Sequence, residues 1–522
     1  MSSSGNAPSG SARRGRAARL AGASHDPRLA APGYTGGAFR PLTVTQIDRI
    51  YEAALDVLER VGIGEPIPEI LAVALPRGCT VDGQGRLRFP RGLVDKVVGS
   101  ACREYVRYGV DPALDQEISG ERVYFATSGE AVTILDYETH TFRPSTLVDL
   151  YDAARLVDRL ENIHGYGQPF VATEHSQDLI VHDLNVAYAA LAGTQKPFAL
   201  STSTAAHIPP LLALFDLVAG GEGRFLERPF ASIGGCPIVS PLRFGRENAE
   251  VLVEVARLGL VADIAVAPQA GATAPAALAG TLVQCLAETL ACLCVVNFVR
   301  PGVPFDFGMW PFVSDLRTGA FTGGGGEQAL LMAASAQIAN HLGLVSSVAA
   351  GMTDAKTMDA QAGYEKGVSV TAAALAGGNL LSSYPGMVGS LMGQSFEGLV
   401  IDNDMLGAVQ RVVRGIEVSD ETLSVDVIES VVAGVGHYLG SEQTLGLMRS
   451  EFVYPAVADR STPGAWEEDG SRTAYERAHG RVQELLASHY PAYLEPAVDA
   501  AIRERFPIRL APADMRPGNG RF

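Results

Sequence analysis

Eight short apolar runs, many of them β-branched, punctuate this chain at separations of roughly 32 to 42 residues. They are VYFAT from Val123, IHGYG from Ile163, PFALSTS from Pro197, PFASIGG from Pro229, ADIAVAP from Ala262, VPFDFG from Val303, LVSSVAAG from Leu344 and NLLSSY from Asn379. Between them lie segments of helical length and period, such as STLVDLYDAARLVDRL and RENAEVLVEVARLG. Strand and helix alternating at this spacing predict parallel strands joined by crossover helices. Eight such units close into one barrel more readily than they extend an open sheet. The fold class read from the sequence is therefore α/β, a TIM-type (β/α)8 barrel over residues 116–390. No glycine-rich dinucleotide fingerprint follows any of the runs, which argues against a Rossmann sheet. The TGGGGEQ stretch at 322–328 lacks the Lys-Ser/Thr pair of a phosphate loop and reads as a helix-start turn.

The flanks read differently. Residues 1–40 are mostly Ser, Gly, Ala and Arg, with Arg13, Arg14, Arg16 and Arg19 clustered and Asp26 the one acid. They hold no apolar stretch of signal-peptide length, so a disordered tail is expected, with an organelle-targeting peptide as the alternative. From Thr43, TVTQIDRIYEAALDVLERVG places Ile47, Ile50, Ala54, Leu55, Leu58 and Val61 on one helical face and stops at Gly62. Residues 41–115 are read as a helical layer packed on the barrel, 391–510 as C-terminal helices that complete it, and 511–522 as a loose tail.

Composition narrows the function classes. The chain has 522 residues, 47% hydrophobic and 19% charged, enough for a large core and too apolar for wholesale disorder. A net charge of −17 lacks the basic clustering of a nucleic-acid surface. The six cysteines form no CxxC pair, so no zinc or redox motif is read and no metal is expected. They are read as buried free thiols of a reducing, cytoplasmic setting. Three of them lie in TLVQCLAETLACLCVVNFV, the most membrane-like part of the chain. Gln284, Glu288 and Asn297 interrupt it, so it reads as a buried barrel helix rather than a span.

One polar segment stands out inside this apolar frame. The stretch 351–366, GMTDAKTMDAQAGYEK, follows the seventh run and precedes an alanine-rich helix. It brings Asp354, Asp359, Gln361, Tyr364 and Glu365 to the loop and first helical turn after a core strand, where barrel enzymes carry catalytic groups. The competing reading is a capped helix start with solvated charges.

Several long motifs together resemble the trimethylamine methyltransferase family, the corrinoid-dependent amine methyltransferases. They are LTVTQIDRIYEAALDVLERVGI, PLRF at 241–244, AGATAPAALAG from Ala270, TDAKTMDAQAGYEK, SFEGLVIDNDMLG and GHYLGSEQTL, and the resemblance runs from about Pro41 to Pro507. It implies the same barrel, and transfer of a methyl group from a methylated amine to the Co(I) corrinoid of a separate cognate protein. No cofactor would then be bound directly. Members that use trimethylamine contain pyrrolysine, whereas this chain has only standard residues. In this it is similar to the glycine betaine and related quaternary-amine methyltransferases.

Such a site needs an aromatic and carboxylate cage for the cation and a mouth open to the partner. Strand ends supply the candidates Tyr166, Gln168, Gln269, Phe307, Trp310, Phe312 and Tyr384 as substrate contacts. For each, core packing or a loop hydrogen bond is the competing account. His164 alternates with Tyr166 and Gln168 and reads first as a core histidine. Asp402 and Asp404, late in the chain, fit solvated or partner-facing charges as well as catalysis. A hydrolase or lyase would need a metal cluster or a strand-end lysine that the chain does not offer. A non-catalytic amine-binding barrel and a trimethylamine-type substrate stay as alternatives, and homo-oligomerisation is left open.

Overall fold

The computed structural model describes residues 32–522. Each of the eight runs forms one strand of a single parallel sheet: β1 (Tyr124–Ala126), β2 (Tyr166–Gly167), β3 (Phe198–Ser201), β4 (Ala231–Gly235), β5 (Ala262–Ile264), β6 (Phe305–Gly308), β7 (Ser346–Ala349) and β8 (Leu380–Ser382). Consecutive strands pair in order, and β8 returns to pair with β1, Leu381 opposite Phe125. A parallel bridge between Ala126 and Gly165, with the Gly165 N–H donating to the Phe125 carbonyl at 3.1 Å, closes β1 onto β2. The sheet is a barrel without a free edge.

A helix follows every strand: α1 (Leu147–Arg159), α2 (Leu179–Gly193), α3 (Ile208–Ala219), α4 (Arg246–Leu258), α5 (Leu278–Val299), α6 (Gly326–His341), α7 (Ala360–Leu375) and α8 (Phe396–Arg414). Where one face meets the barrel and the other meets solvent, as in α4, buried residues recur at helical spacing (Ala249, Leu252, Val253, Ala256). The membrane-like run is α5, apolar on all sides because it is covered on all sides. The helices Val44–Arg60, Pro68–Ala74 and Arg91–Ser100 pack across its outer face. Of the described helices it alone is long and apolar enough to cross a membrane, and most of it is buried in the molecule.

The N-terminal end of the barrel is plugged by a hairpin of Tyr105–Arg107 and Gln116–Ile118. Its side chains enter a charged layer. Arg107 Nη2 lies 3.2 Å from Ser232 Oγ and 3.7 Å from Asp263 Oδ2, while the Tyr105 hydroxyl donates to Asp306 Oδ1. Asp306 Oδ2 has no hydrogen-bond partner. Burial, reinforced by the neighbouring Asp263 charge and opposed by Arg107, pushes the Asp306 carboxyl up to about 7. His164 is a satisfied core histidine. Its Nδ1 accepts the Phe125 N–H at 3.0 Å, and burial, helped by Lys196, holds it down to about 3.

Both expected tails need correction where they are described. The tail expected over residues 1–40 lies outside the described residues as far as residue 31. Residues 32–40 run along the barrel instead of hanging free: Thr35 bridges Arg122, and the Phe39 N–H donates to the Leu375 carbonyl at 2.9 Å. Residues 511–522 are also anchored. Arg521 Nη1 pairs with the buried Asp152 at 2.6 Å, and Met515 Sδ meets the Tyr188 hydroxyl at 3.7 Å. Backbone and side-chain bonds to partners far away in sequence hold both segments, which their polar, glycine-rich composition does not reveal. Ahead of the C-terminal tail, the helix Ala474–Ser488 packs between α8 and α1.

Candidate active site

The C-terminal ends of the strands surround a cavity of about 310 Å³. This is the end of the barrel at which such folds place their chemistry, and the volume is at the small end of the roughly 300–1,000 Å³ typical of ligand sites. Its wall is built strand by strand. Ser128, Gly129 and Glu130 follow β1, Gln168 follows β2, Ser201 ends β3, Gly234–Cys236 end and follow β4, and Asp263 belongs to β5. Trp310 and Phe312 come from the segment after β6, Tyr384 and Leu391 from the segment after β8. Glycines let neighbouring strands approach closely here. A Cβ at Gly234 would lie 1.8 Å from the Asp263 carbonyl oxygen, and one at Gly308 1.8 Å from that of Ile264.

Two aromatic rings form one corner. Trp310 and Tyr384 meet edge to face, centroids 6.2 Å apart at 75°, and Trp310 Nε1 donates to Ser347 Oγ at 3.3 Å. Tyr384 has φ +42, a left-handed backbone rare for a tyrosine. Its carbonyl accepts from Lys366 Nζ at 2.9 Å, and Lys366 pairs with Asp402, which also accepts the Gly386 N–H at 2.7 Å. Asp402 is thus a buried support for the Tyr384 loop, while Asp404 accepts three backbone N–H groups from residues 456–458. Phe312 packs edge to face on Phe321 at 5.0 Å.

Glu130 and Asp263 are the carboxylates of the cavity. Glu130 lies in the segment after β1, with φ +50. The enclosing walls raise its pKa, opposed by the Ser201 hydroxyl and by His182. His182 and His207 both bond to Asp183, at 3.2 and 2.8 Å, behind this wall. Burial tends to raise the pKa of Asp183, but the bonds from His182, the Ser203 N–H, His207 and Thr202 outweigh it and hold the carboxyl below its ordinary range. Cys236, read from the sequence as a buried thiol, is exposed on the cavity wall. The surrounding protein, with Glu130 adding to the effect, pushes its thiol up to about 11, so it is neutral at pH 7. Cys102 is half-buried, and the other four cysteines are buried.

Of the residues singled out from sequence, Gln168, Trp310, Phe312 and Tyr384 line this cavity. Tyr166 faces a small chamber of about 60 Å³ beneath it, its hydroxyl donating to the Leu150 carbonyl. Phe307 is core, because alternation along β6 turns Asp306 inward and Phe305 and Phe307 towards the surrounding helices. Gln269 is held outside the cavity, where its Oε1 accepts from Ser314 Oγ at 3.2 Å.

The five residues of the polar segment lie off the cavity, as its lining excludes them all. Asp359 caps α7, accepting from the Gln361 and Ala362 N–H groups at 2.9 and 3.2 Å. Asp354 accepts from the Gly323 N–H at 2.8 Å and from the Ser390 hydroxyl. Glu365 accepts from Thr353 Oγ1, the Asp354 N–H and Gln361 Nε2, which makes Gln361 and Glu365 loop ties. Tyr364 is 62% exposed. Asp359 and Glu365 thus satisfy backbone N–H groups where β7 turns into α7.

Glu130 and Asp263 were missed. Both lie in or next to runs recognised as strands, Asp263 inside ADIAVAP and Glu130 three residues past VYFAT. An acid inside or just beyond a buried strand was the available signal.

A model of the trimethylamine methyltransferase (MTTB) family matches residues 10–510. The chain is 30% identical over 462 residues to a glycine betaine methyltransferase of Desulfitobacterium hafniense (strain Y51), covering 88% of this chain and 95% of that protein. It is 32% identical over 465 residues to the trimethylamine methyltransferase MttB of Methanosarcina thermophila, covering 86% and 92%. A solved monomethylamine methyltransferase, MtmB of Methanosarcina barkeri, aligns with 88% of this chain and 96% of its own at 10% identity and a TM-score of 0.43. So loose a likeness adds nothing to the barrel, whose closure stands on its own strand pairing. On a family match over nearly its whole length, the chain belongs to the trimethylamine methyltransferase family.

Proposed function

We propose that this barrel moves a methyl group from a quaternary methylated amine, with a tertiary amine as the alternative, to the Co(I) corrinoid of a separate partner protein. The observation that carries the reading is the cavity itself: Trp310, Phe312 and Tyr384 stand with the Glu130 carboxylate around a small space at the barrel mouth. Aromatic walls and a carboxylate suit a desolvated ammonium, each aromatic face contributing on the order of 1–2 kcal/mol. The relatives named for glycine betaine and for trimethylamine support an amine as methyl donor and span both the quaternary and the tertiary class.

The chemistry asks little of the protein beyond position. In a quaternary ammonium the methyl carbon is already electrophilic. When its C–N bond breaks, the electron pair stays on nitrogen and the departing amine is neutral, so no side chain need donate a proton. A Co(I) corrinoid held by the partner supplies the nucleophile that takes the methyl group. The thiol on the wall does not compete for the methyl group, since Cys236 is held neutral at pH 7. The solvent exposure of Glu130 and Cys236 supports access to the cavity for a partner's group from this side. The protein's work is to hold the amine with one methyl towards the mouth and to exclude water.

The test is incubation of the full chain with chemically reduced cob(I)alamin and a panel of methylated amines. Loss of the Co(I) absorbance and the demethylated product by mass spectrometry are the readouts. Methyl transfer from at least one amine is expected. Amines that bind while none is demethylated by any cob(I)alamin source would replace this reading with a non-catalytic amine-binding barrel.

A further inference from the structure

We infer that the cavity selects a methylated ammonium that carries no carboxylate, a net monocation such as choline or tetramethylammonium, over the zwitterionic betaines. The inference rests on the cavity being the amine site proposed above. Its lining contains two carboxylates, Glu130 and Asp263, and no lysine or arginine. A betaine has a carboxylate one methylene from its nitrogen. If one methyl group points to the open mouth, the rest of the molecule points down into the barrel. The betaine carboxylate would then meet the Glu130 wall or the Asp263 floor, and like charges brought this close inside a protein repel strongly.

The cation below the floor, Arg107, is already engaged. Arg107 lies 3.7 Å from Asp263 and 3.2 Å from Ser232 Oγ, in a layer that also holds Asp306. One guanidinium thus faces two carboxyl groups and is not free to neutralise a third. Behind the Glu130 wall, His182 and His207 are likewise committed to Asp183. A choline hydroxyl, by contrast, donates to a carboxylate oxygen and fits the same floor without a charge penalty.

The experiment is isothermal titration of the full chain with tetramethylammonium, choline and glycine betaine, followed by the same titrations on Glu130→Gln. Glu130 is exposed on the cavity wall, so the isosteric change does not threaten the core. The carboxylate-free cations are expected to bind at least about tenfold more tightly than glycine betaine, and Glu130→Gln to narrow that gap by about tenfold. Glycine betaine binding as tightly as choline to the unaltered chain overturns the inference, as does a preference that Glu130→Gln leaves untouched. Binding needs no corrinoid, so the two readings fail separately. Demethylation of glycine betaine in preference to choline sinks the selectivity and leaves the methyl transfer standing. A preference for cations with no transfer from any amine does the reverse.

Discussion

Trp310 is held at both ends, by its edge-to-face contact with Tyr384 and by the bond from its Nε1 to Ser347. That leaves little rotamer freedom to lose when a cation arrives. Trp310→Ala is expected to weaken amine binding by about 1–2 kcal/mol, roughly five- to thirtyfold, with Trp310→Phe between the two. Calorimetric titration with the amine that the unaltered chain binds most tightly checks this, and equal affinities would make the residue mere packing. Lys366 and Asp402 are both buried and hold the Tyr384 loop from below. Lys366→Met leaves an uncompensated buried carboxylate and is expected to cost about 3–5 kcal/mol, whereas joint replacement with Asp402→Leu costs less than the single change. Denaturant unfolding of both variants gives the comparison, and a double variant less stable than the single one contradicts the account.

At the scale of elements, close approach of strands and capping of helices divide the labour. Gly308 in β6 faces the Ile264 carbonyl so closely that a methyl group would overlap it, whereas Gly363 on the exposed side of α7 has nothing within 4 Å. Gly308→Ala is expected to destabilise by about 1–3 kcal/mol through overpacking. Gly363→Ala is expected to stabilise by about 0.5–1 kcal/mol through helix propensity. Opposite shifts in thermal midpoint are the readout, and shifts of the same sign would contradict the packing described. Asp359 belongs to this scale too. Asp359→Ala is expected to lose about 1 kcal/mol with its cap while Asp359→Asn loses almost nothing, and neither is expected to alter amine affinity. A raised dissociation constant for the amine in Asp359→Asn would return this residue to the site.

The whole molecule carries its charged layer as a dependence of stability on pH. The Asp306 carboxyl sits near 7 when folded against 3.8 in the unfolded chain, so its contribution is fully present below pH 3.8 and is lost as pH rises through 7. His164 works in the opposite sense. Held at about 3 against 6.5, it costs stability as pH falls below 6.5. The two trends overlap in the unaltered chain, and Asp306→Asn separates them. The stability of Asp306→Asn relative to the unaltered protein is expected to rise between pH 4 and 7 and to level off above. Denaturant titrations at pH 4, 5.5, 7 and 8 measure it, and a flat difference would mean that Asp306 is already ionised in the folded protein. The helices over α5 act at the same scale, since they cover a face that composition alone leaves ambiguous between core and membrane.

The eight strands were legible in the sequence because each is short, buried and bounded by turns, so its signal is local, and their even spacing was enough to propose closure. Trp310, Phe312, Tyr384 and Gln168 were legible for the same reason: they sit at or just beyond strand ends, and in a barrel all strand ends converge. Asp354, Asp359 and Glu365 lie off the cavity, which the sequence does not show, because a cluster that caps a helix and ties a loop has the same composition as one that meets a ligand, and only the direction of each side chain tells them apart. Glu130 and Asp263, 133 positions apart, become one site through closure of the barrel, as do Trp310 and Tyr384 from the segments after β6 and β8. The periodicity of the sequence determined the strands and their order, because alternation and burial are written residue by residue. Which charges face the cavity was decided by the tertiary structure alone, because it depends on where strands far apart in sequence turn their side chains once the ring is shut.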